Sequence, residues 1–279
     1  MAVNDALGTR MKEYYENIPK TKLMRRTPVA IRLDGKAFHT FTRGFQKPFD
    51  EILIKSMQET MKYLCENIQG CVLGYTQSDE ITLILVDYKN LDTAAWFDYE
   101  VQKVCSIAAS MATMKFNKVF INNVNEWISN TYPSFHELSS EEDDKLYRTY
   151  INAYKKGAMF DARCFNIPKE EVANLLYWRQ LDATRNSIQM VGQANFSHKE
   201  LDGVSCKQIQ NKLLTEKDIN WNNYPTYMKR GSCCYKDISF SRAINGKYEY
   251  KVTTEKWFLD LNPPIFKDNW EYINKHIYV

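Results

Sequence analysis

An aspartate followed by a glycine is the first pair of residues in this sequence that could take part in chemistry. Asp34 and Gly35 end a segment that alternates apolar with smaller or polar residues, which is the pattern of a buried strand. Because glycine has no side chain, the backbone after Asp34 can turn sharply or approach a ligand closely. A carboxylate at the end of a strand can hold a hard cation against a phosphate, and a capped turn uses the same residue types.

A second acidic site lies in a polar turn between two apolar segments. The segments run from about Cys71 to Thr76 and from Ile81 to Val86, and both have the composition of strands. The turn between them consists of Gln77, Ser78, Asp79 and Glu80. Solvation at the tip of a hairpin and binding of a metal ion both explain two adjacent acids at this position.

The order of the elements suggests that the two acidic sites meet. If the first strand pairs beside the hairpin, Asp34 and Asp79 reach one edge of one sheet. Two carboxylates that converge on one point repel each other unless a cation lies between them. We therefore predict a divalent-cation site at this edge, with a capped turn and a solvated hairpin tip as the structural alternatives.

Helices and one more strand complete the frame that would position these acids. Apolar residues at helical spacing predict a helix over residues 53–68, a second over about 94–118 and a third over 169–190. Asn122-Asn123 predicts a loop after the second helix. Residues 158–167 read as another core strand, so the predicted order is strand–helix–strand–strand–helix–strand.

The remainder of the chain is less regular. Residues 201–214 predict a short helix, and residues 232–250 predict a strand pair joined by a tight turn at Asn245-Gly246. The segment from Trp221 to Gly231 mixes aromatic, amide and cationic residues. This composition suits single-stranded nucleic acid or a phosphate, and a surface loop packed by its own aromatics has it as well.

Composition and charge limit the class of protein only broadly. The 279 residues include 37 basic and 34 acidic side chains, a net charge of +3 that permits an anionic partner without demanding one. The seven cysteines form no Cys-x-x-Cys motif and have no metal-binding spacing with the four histidines. They therefore predict reduced thiols and a cytoplasmic protein. We expect neither a signal peptide nor a membrane span.

Lys47 is the best phosphate candidate that the residues alone provide. It precedes a helix whose positive N-terminus carries Asp50, so the helix end and the ammonium group can act on the same anion. His39 could touch a phosphate or a sugar, but a histidine between aromatic residues is more often structural.

Five motifs, in order and with similar spacing, resemble the tRNA(His) guanylyltransferase family. The resemblance extends from about residue 5 to residue 231. The motifs are Arg32-Leu-Asp-Gly-x-x-Phe-His39, Lys47-Pro-x-Asp50, Ser78-Asp-Glu80, Phe160-Asp-x-Arg163 and Trp178-Arg-Gln-x-Asp182.

The resemblance implies an α+β fold similar to the palm of DNA polymerases and nucleotide cyclases. This palm is a βαββαβ antiparallel sheet with helices on one face, here with additional helices and a C-terminal β extension. We expect a catalytic domain over residues 1–200 and a C-terminal region over 201–279 that packs on it and contributes to tRNA binding. The family adds nucleotides to the 5′ end of tRNA in the 3′-to-5′ direction.

The resemblance also implies which residues act. Asp34 and Asp79 would be side-chain ligands of two Mg²⁺ ions, with the Gly35 carbonyl as a further ligand, and Glu80 would support this catalytic site. The residues around an incoming ATP or GTP would be Asp34, Gly35, Lys36, Ala37, Phe38, His39, Lys47, Asp50, Ser78 and Asp79. Contacts to tRNA or the triphosphate would come from Arg32, Arg163, Arg179, Asn186, Lys229 and Arg230.

Two positions depart from the family pattern. Thr184 stands where guanylyltransferases dedicated to tRNA(His) have a histidine, and Phe49 replaces the usual asparagine. These departures favour a template-dependent repair polymerase that acts on 5′-truncated tRNAs. A guanylyltransferase specific for tRNA(His) and a catalytically inert RNA-binding palm are the alternatives. Family precedent also suggests a homotetramer.

Overall fold

A single six-stranded antiparallel sheet organises the protein. The computed structural model describes residues 5–131, 141–245 and 248–279, and for residues 238–253 only the backbone. The strand order is β4-β1-β3-β2-β5-β6, and every neighbouring pair is antiparallel. The strands are β1 (Val29–Gly35), β2 (Cys71–Gln77), β3 (Glu80–Leu85), β4 (Phe160–Asn166), β5 (Ser232–Asn245) and β6 (Tyr248–Asp260).

Helices precede, connect and follow the strands. The longer ones are α3 (Glu51–Asn67), α4 (Val101–Thr131), α5 (Glu141–Lys156), α6 (Lys169–Asn195) and α8 (Cys206–Lys217). The shorter ones are α1 (Ala6–Met11), which continues as a π-helical turn over Lys12–Glu16, α2 (Phe38–Phe41), α7 (His198–Leu201), α9 (Thr226–Arg230) and α10 (Glu271–Ile277). The βαββαβ order predicted for the palm is present as β1, α3, β2, β3, α4 and β4.

The two faces of the sheet are covered by different helices. Alternate residues of β1 and β3, such as Leu33 and Leu83, belong to a core that α3 and α4 close. The opposite face, with Ala30 and Ile84, packs against α6 and α10. The predicted α+β palm is confirmed, with both palm helices on one face and additional helices on the other.

The helix predicted over residues 94–118 begins later and ends later than the periodicity suggested. The N-terminal segment holds residues 96–100 in another conformation: the Leu23 amide donates to the Tyr99 carbonyl at 3.0 Å, and the Val101 amide donates to the Thr21 carbonyl at 2.9 Å. Phe97 has a positive φ of 51°. Long-range backbone bonds therefore delay the start of α4 to Val101.

The loop predicted at Asn122-Asn123 is also wrong. α4 continues through these residues to Thr131 because the Asn123 side chain is buried against α3. Its amide donates to Ser56 Oγ at 3.1 Å. Asn123, which suggested a turn, instead connects α4 to α3 through this hydrogen bond.

The C-terminal region joins the same sheet, because β5 pairs with β2. Side chains reinforce this junction: Gln58 donates to Ser232 Oγ at 2.8 Å, and the Tyr75 hydroxyl donates to the Arg230 carbonyl at 2.6 Å. The helix predicted over residues 201–214 begins only at Cys206 and ends at Lys217, because Gly203 adopts a φ of +69° between α7 and α8. The turn predicted at Asn245-Gly246 extends beyond the described residues.

None of the helices within residues 5–131, 141–245 and 248–279 is both long enough and apolar enough to cross a membrane.

Candidate active site

Three carboxylates from neighbouring strands form one row on the sheet face that α6 covers. Asp34 of β1 lies directly opposite Glu80 of β3 on one side and Asp161 of β4 on the other. Residues directly opposite each other in antiparallel strands project to the same face. Because like charges in such pairs destabilise a sheet, this row requires cations close by.

The turn between β2 and β3 brings a fourth carboxylate to the end of β1. The turn consists of Ser78 and Asp79, and Ser78 adopts a left-handed backbone conformation with a φ of 50°. The Gly35 amide donates to the Asp79 carbonyl at 3.1 Å, which fastens the turn to β1. Ser78 Oγ lies 3.1 Å from Asp79 Oδ1 and orients that carboxylate. The structure thus brings the two predicted acidic sites together.

The surroundings of Asp34 and Asp79 disfavour negative charge. Burial raises the pKa of Asp34, and the charges of Asp161 and Glu80 raise it further, whereas Arg163 and Arg32 act in the opposite direction. Burial is also the main cause of the raised pKa of Asp79, to which the charge of Asp34 contributes. A bound cation would relieve this repulsion.

The donor atoms fit a hard cation such as Mg²⁺. Asp34 and Asp79 supply carboxylate oxygens, and Mg²⁺ prefers oxygen ligands and retains several waters. Across the described ranges, no group of three or more His, Cys, Asp or Glu side chains has the geometry of a metal site. Two carboxylates would therefore need the Gly35 carbonyl, water or substrate phosphates to complete the coordination.

Glu80 differs from these acids because two arginines neutralise it. Arg32 Nη2 and Arg179 Nη1 lie 2.9 Å and 2.8 Å from the same carboxylate oxygen, Oε2. The Thr82 hydroxyl lies 3.4 Å from the other oxygen. Glu80 is buried, so these contacts hold it in one position. This arrangement suits a residue that supports the site rather than one that binds a metal ion directly.

A cleft of about 470 Å³ opens beside this acidic end of the sheet. Its lining includes eight of the predicted nucleotide-binding residues: Gly35, Ala37, Phe38, His39, Lys47, Asp50, Ser78 and Asp79. His39 and Lys47 are exposed there, so a positive charge is available to an anionic ligand. Asp34 and Lys36 flank Gly35 in the chain without lining the cleft; Lys36 is exposed, and its amide donates to the Met159 carbonyl at 2.9 Å.

Gly35 is required where the chain leaves β1. A β-carbon at this position would lie 2.3 Å from the Phe38 ring. That ring cannot yield, because it is buried and packs against Phe41, Phe116 and Phe160 with centroid distances of 5.1, 5.5 and 5.2 Å. Phe38 therefore forms a rigid wall of the cleft.

Asp50 lines the cleft, but its carboxylate is engaged in holding the fold. One oxygen accepts from the Leu53 amide at 2.9 Å and so caps α3. The other accepts from the Gln46 amide at 3.0 Å and from the Tyr150 hydroxyl at 2.7 Å. The structure gives this buried side chain a capping role, and its contact with the nucleotide stays a prediction.

The residues predicted to contact tRNA or triphosphate fall into two groups. Arg163 is exposed beside Asp161, whereas Arg32, Asn186 and Arg230 are partly buried. A second group, Arg179 and Lys229, is buried and engaged.

In the second group, both side chains have partners within the protein. Arg179 is bound to Glu80, and Lys229 Nζ donates to the Asn222 carbonyl at 2.6 Å. Their contact with RNA stays a prediction.

Sequence reasoning missed several residues of the site. Met190 and Gln193 of α6 and Gln46 line the cleft. Asp161 belongs to the acidic row, although only its neighbour Arg163 was predicted as a contact. The helical periodicity of α6 was visible in the sequence, but which of its turns reaches the cleft depends on its path across the sheet.

A family model described as tRNAHis guanylyltransferase matches residues 8–168, more than half of the chain. The matched range includes β1, the turn at Ser78 and Asp79, and β4.

The chain belongs to the tRNA(His) guanylyltransferase family.

Members of the tRNA(His) guanylyltransferase family are nucleotidyltransferases, and this chain is an enzyme of that class. An uncharacterized protein of Acanthamoeba polyphaga mimivirus is 30% identical over 246 residues, which cover 85% of this chain and 79% of that protein. The tRNA(His) guanylyltransferase of Saccharomyces cerevisiae is 27% identical over 218 residues, which cover 73% of this chain and 80% of the yeast protein.

Solved structures of the family agree with the fold. A bacterial tRNA(His) guanylyltransferase-like protein in complex with ATP superimposes with a TM-score of 0.76 at 40% identity, covering 98% of this chain and 100% of that one. A bacterial guanylyltransferase-like protein in complex with GTP gives 0.74 at 37% identity, with 99% and 100% covered.

Proposed function

We propose that this protein is a Mg²⁺-dependent nucleotidyltransferase that adds nucleotides to the 5′ end of tRNA. The observation that carries the proposal is the convergence of Asp34 and Asp79 beside a cleft of about 470 Å³, in a member of this family. An incoming nucleoside triphosphate would occupy the cleft, with its phosphates directed toward the two aspartates. ATP and GTP are the proposed substrates, since solved bacterial relatives hold each of them.

Asp34, Asp79 and the Gly35 carbonyl would hold the Mg²⁺ ions. When bound, two such ions can stabilise both the attacking and the leaving oxygen of an in-line displacement at phosphorus. Burial, together with the charges of neighbouring carboxylates, raises the pKa of both groups, and a bound cation would offset this cost of ionisation. The exposed Lys47 would contact the triphosphate.

The reaction requires no protein nucleophile. On a tRNA that carries a 5′-triphosphate, the 3′-hydroxyl oxygen of the incoming nucleotide would attack the α-phosphorus. A new phosphodiester bond forms, the bond to pyrophosphate breaks, and the hydroxyl proton leaves to solvent. A tRNA with a 5′-monophosphate would first be adenylylated by ATP with release of pyrophosphate, and AMP would then be the leaving group when the 3′-hydroxyl attacks. The contribution of the protein is then positioning and charge stabilisation.

Two substrate choices have separate support. The descriptions of the matched family and of the curated relatives favour addition of G to tRNA(His). Phe49 and Thr184 favour templated repair of truncated tRNAs. Thr184 donates to the Gln180 carbonyl within α6 at 2.9 Å, and Phe49 packs on Tyr224 with centroids 5.3 Å apart, so neither position offers the polar side chain of the dedicated enzymes.

The test uses 5′-triphosphorylated tRNAs that lack the first nucleotide, with Mg²⁺ and one nucleoside triphosphate at a time. Addition of G to tRNA(His) alone, whatever base stands opposite, establishes the dedicated guanylyltransferase. Addition to several tRNAs of the nucleotide that pairs with the opposite base establishes templated repair. The proposed function would be contradicted if the native protein bound tRNA tightly but added no more nucleotide than an Asp34→Asn control does. That result would favour an inert RNA-binding palm.

Assembly, domain organisation and location are further parts of the proposal. We infer a cytoplasmic homotetramer in which residues 201–279 contribute to tRNA binding. Family precedent supports the tetramer, and the exposed apolar side chains of the N-terminal segment, among them Leu7 and Tyr15, are compatible with contacts between subunits. Sedimentation equilibrium distinguishes a tetramer from a monomer or a dimer.

A further inference from the structure

An exposed tryptophan lies on the same face of the sheet as the acidic row. Trp178 of α6 is 51% exposed, whereas Arg179 beside it is buried. The Arg179 guanidinium carbon lies 3.6 Å from the centroid of the Trp178 ring, and that of Arg32 lies 5.2 Å away. The two arginines therefore hold the ring from the protein side, and about half of the residue remains open to solvent.

The arginines that hold the ring also neutralise Glu80. Both donate to the same oxygen of this carboxylate, and Glu80 stands directly opposite Asp34. Ion pairs therefore fix the side chains from the Trp178 ring to Glu80, and Glu80 is the cross-strand neighbour of Asp34. A flat aromatic surface is held at a defined place relative to the proposed catalytic carboxylate.

The Trp178 ring lies outside the nucleotide cleft. Arg32, Arg163 and Trp178 do not line that cleft. β4, which carries Arg163, forms one edge of the sheet, so a large polymer can approach from there. An incoming nucleotide in the cleft and an RNA end that approaches over β4 would reach Asp34 from different directions.

We propose that Trp178 is the stacking platform for a base at the 5′ end of the RNA substrate, and that Arg163 contacts an adjacent phosphate. This inference rests on the proposed function and extends it, because it states how the end of the RNA is held near Asp34. Stacking on an aromatic ring is tolerant of base identity, since every base has a π-face. The platform would therefore serve any tRNA end.

The chemistry around the ring favours a nucleic acid over a protein partner. The ion pair of Arg163 with Asp161 lies on β4, and the ion pair of Arg185 with Asp182 follows on α6. The cores of protein–protein interfaces are depleted in charged residues. A single ring among charges resembles the surfaces that bind single-stranded nucleic acid, where aromatic side chains alternate with cations.

The test compares Trp178→Leu and Trp178→Phe with Phe97→Leu, which removes an exposed aromatic ring that precedes α4 and lies outside residues 201–279. We would measure the Kd for a 5′-triphosphorylated truncated tRNA without divalent metal, and the KM for the nucleoside triphosphate. Trp178→Leu is expected to raise the Kd for RNA about 5- to 100-fold and leave the KM unchanged, with a smaller effect for Trp178→Phe. Phe97→Leu should bind as the native protein does.

A tRNA with 2-aminopurine at its 5′-terminal position gives an independent signal. Its fluorescence should be quenched on binding to the native protein and to Trp178→Phe, and much less on binding to Trp178→Leu at saturation. Unchanged RNA affinity and unchanged quenching in Trp178→Leu would overturn the stacking platform. The proposed function is judged separately, by nucleotide addition by the native protein. If Trp178→Leu changed the mass of the oligomer but bound RNA with the affinity of the native protein, the ring would belong to an interface between protein chains instead.

Discussion

Arg179 of α6 and Glu80 of β3 form a buried ion pair that ties the helix to the catalytic end of the sheet, with 2.8 Å between Nη1 and Oε2. Arg32 shares the same oxygen at 2.9 Å. Removal of one partner from a buried pair is costly because the other charge stays desolvated. The pair links the path of α6 to the positions of Asp34 and the turn at Ser78.

Arg179→Ala is therefore expected to lower the free energy of unfolding by about 2 to 4 kcal/mol, since Arg32 compensates only part of the loss. Urea unfolding followed by circular dichroism measures this change. The matched control is Arg185→Ala, which removes an exposed partner of Asp182 on the same helix and should cost no more than about 0.5 kcal/mol. Equal changes in the free energy of unfolding would show that the buried ion pair stabilises the fold no more than the exposed one does.

Asp34→Asn and Asp79→Asn should separate activity from stability. Each is expected to lower nucleotide addition about 100-fold or more, as does removal of Mg²⁺ by EDTA. The pKa of each carboxylate is raised in the folded protein, so stability falls as the pH rises from the ordinary pKa of an aspartate to the raised one, and the loss is complete above it.

At pH 7 without Mg²⁺, both variants should accordingly be as stable as the native protein or more stable. Thermal unfolding in EDTA checks this expectation. A fall in melting temperature would instead mean that these carboxylates hold the fold together, as Asp50 does.

Gly35→Ala should disrupt the end of β1. The added methyl group would lie 2.3 Å from the Phe38 ring, so the backbone at the end of β1 must move, at a cost of about 1 to 3 kcal/mol. We expect nucleotide affinity and activity to fall together. Gly203→Ala is the control, since its methyl group meets nothing within 4 Å and only backbone strain is added. Full activity in Gly35→Ala would show that the wall of the cleft formed by Phe38 can rearrange without loss of function.

His276 is expected to make stability depend on pH near its normal titration range. Burial and the charges of Lys275 and Lys89 lower its pKa to about 4, from about 6.5 in the unfolded chain. Its Nε2 is buried without a hydrogen-bond partner. The unfolded state therefore binds more protons between these two values, and stability is complete above pH 6.5 and falls as the pH decreases toward 4.

The difference at pH 5 should amount to about 1 to 2 kcal/mol. His276→Phe keeps a ring against Tyr235 and removes the titrating nitrogen. Comparison of urea unfolding at pH 7 and pH 5 should show a smaller drop in this variant than in the native protein. An identical drop would assign the effect to other groups.

A chain that ends at residue 200 is expected not to fold by itself. β5 covers the open side of β2, and Phe266 is buried in the core beneath α6. Truncation would expose an apolar strand edge and that core. Near-ultraviolet circular dichroism of the truncated chain should lack a native signal. A folded fragment 1–200 would instead establish an independent catalytic domain.

The local elements of this protein could be predicted because they depend on residues close together in the sequence. Alternating apolar residues indicated β1, and the polar turn with Ser78 and Asp79 marked the hairpin. Helical periodicity indicated α3 and α6. Asp34 and Asp79 were chosen as the acids of the site because an acid at the end of a strand is recognisable from its neighbours alone.

The tertiary structure decided what depends on contacts between distant residues. The register of β1 against β3 and β4 created the row of Asp34, Glu80 and Asp161. The path of α6 buried Arg179 on Glu80, although an arginine in a motif reads equally well as an RNA contact. α4 begins only at Val101 because the N-terminal segment holds the residues before it. Charge and periodicity are properties of the chain, whereas the partner of each charge is set by packing between elements far apart in the sequence.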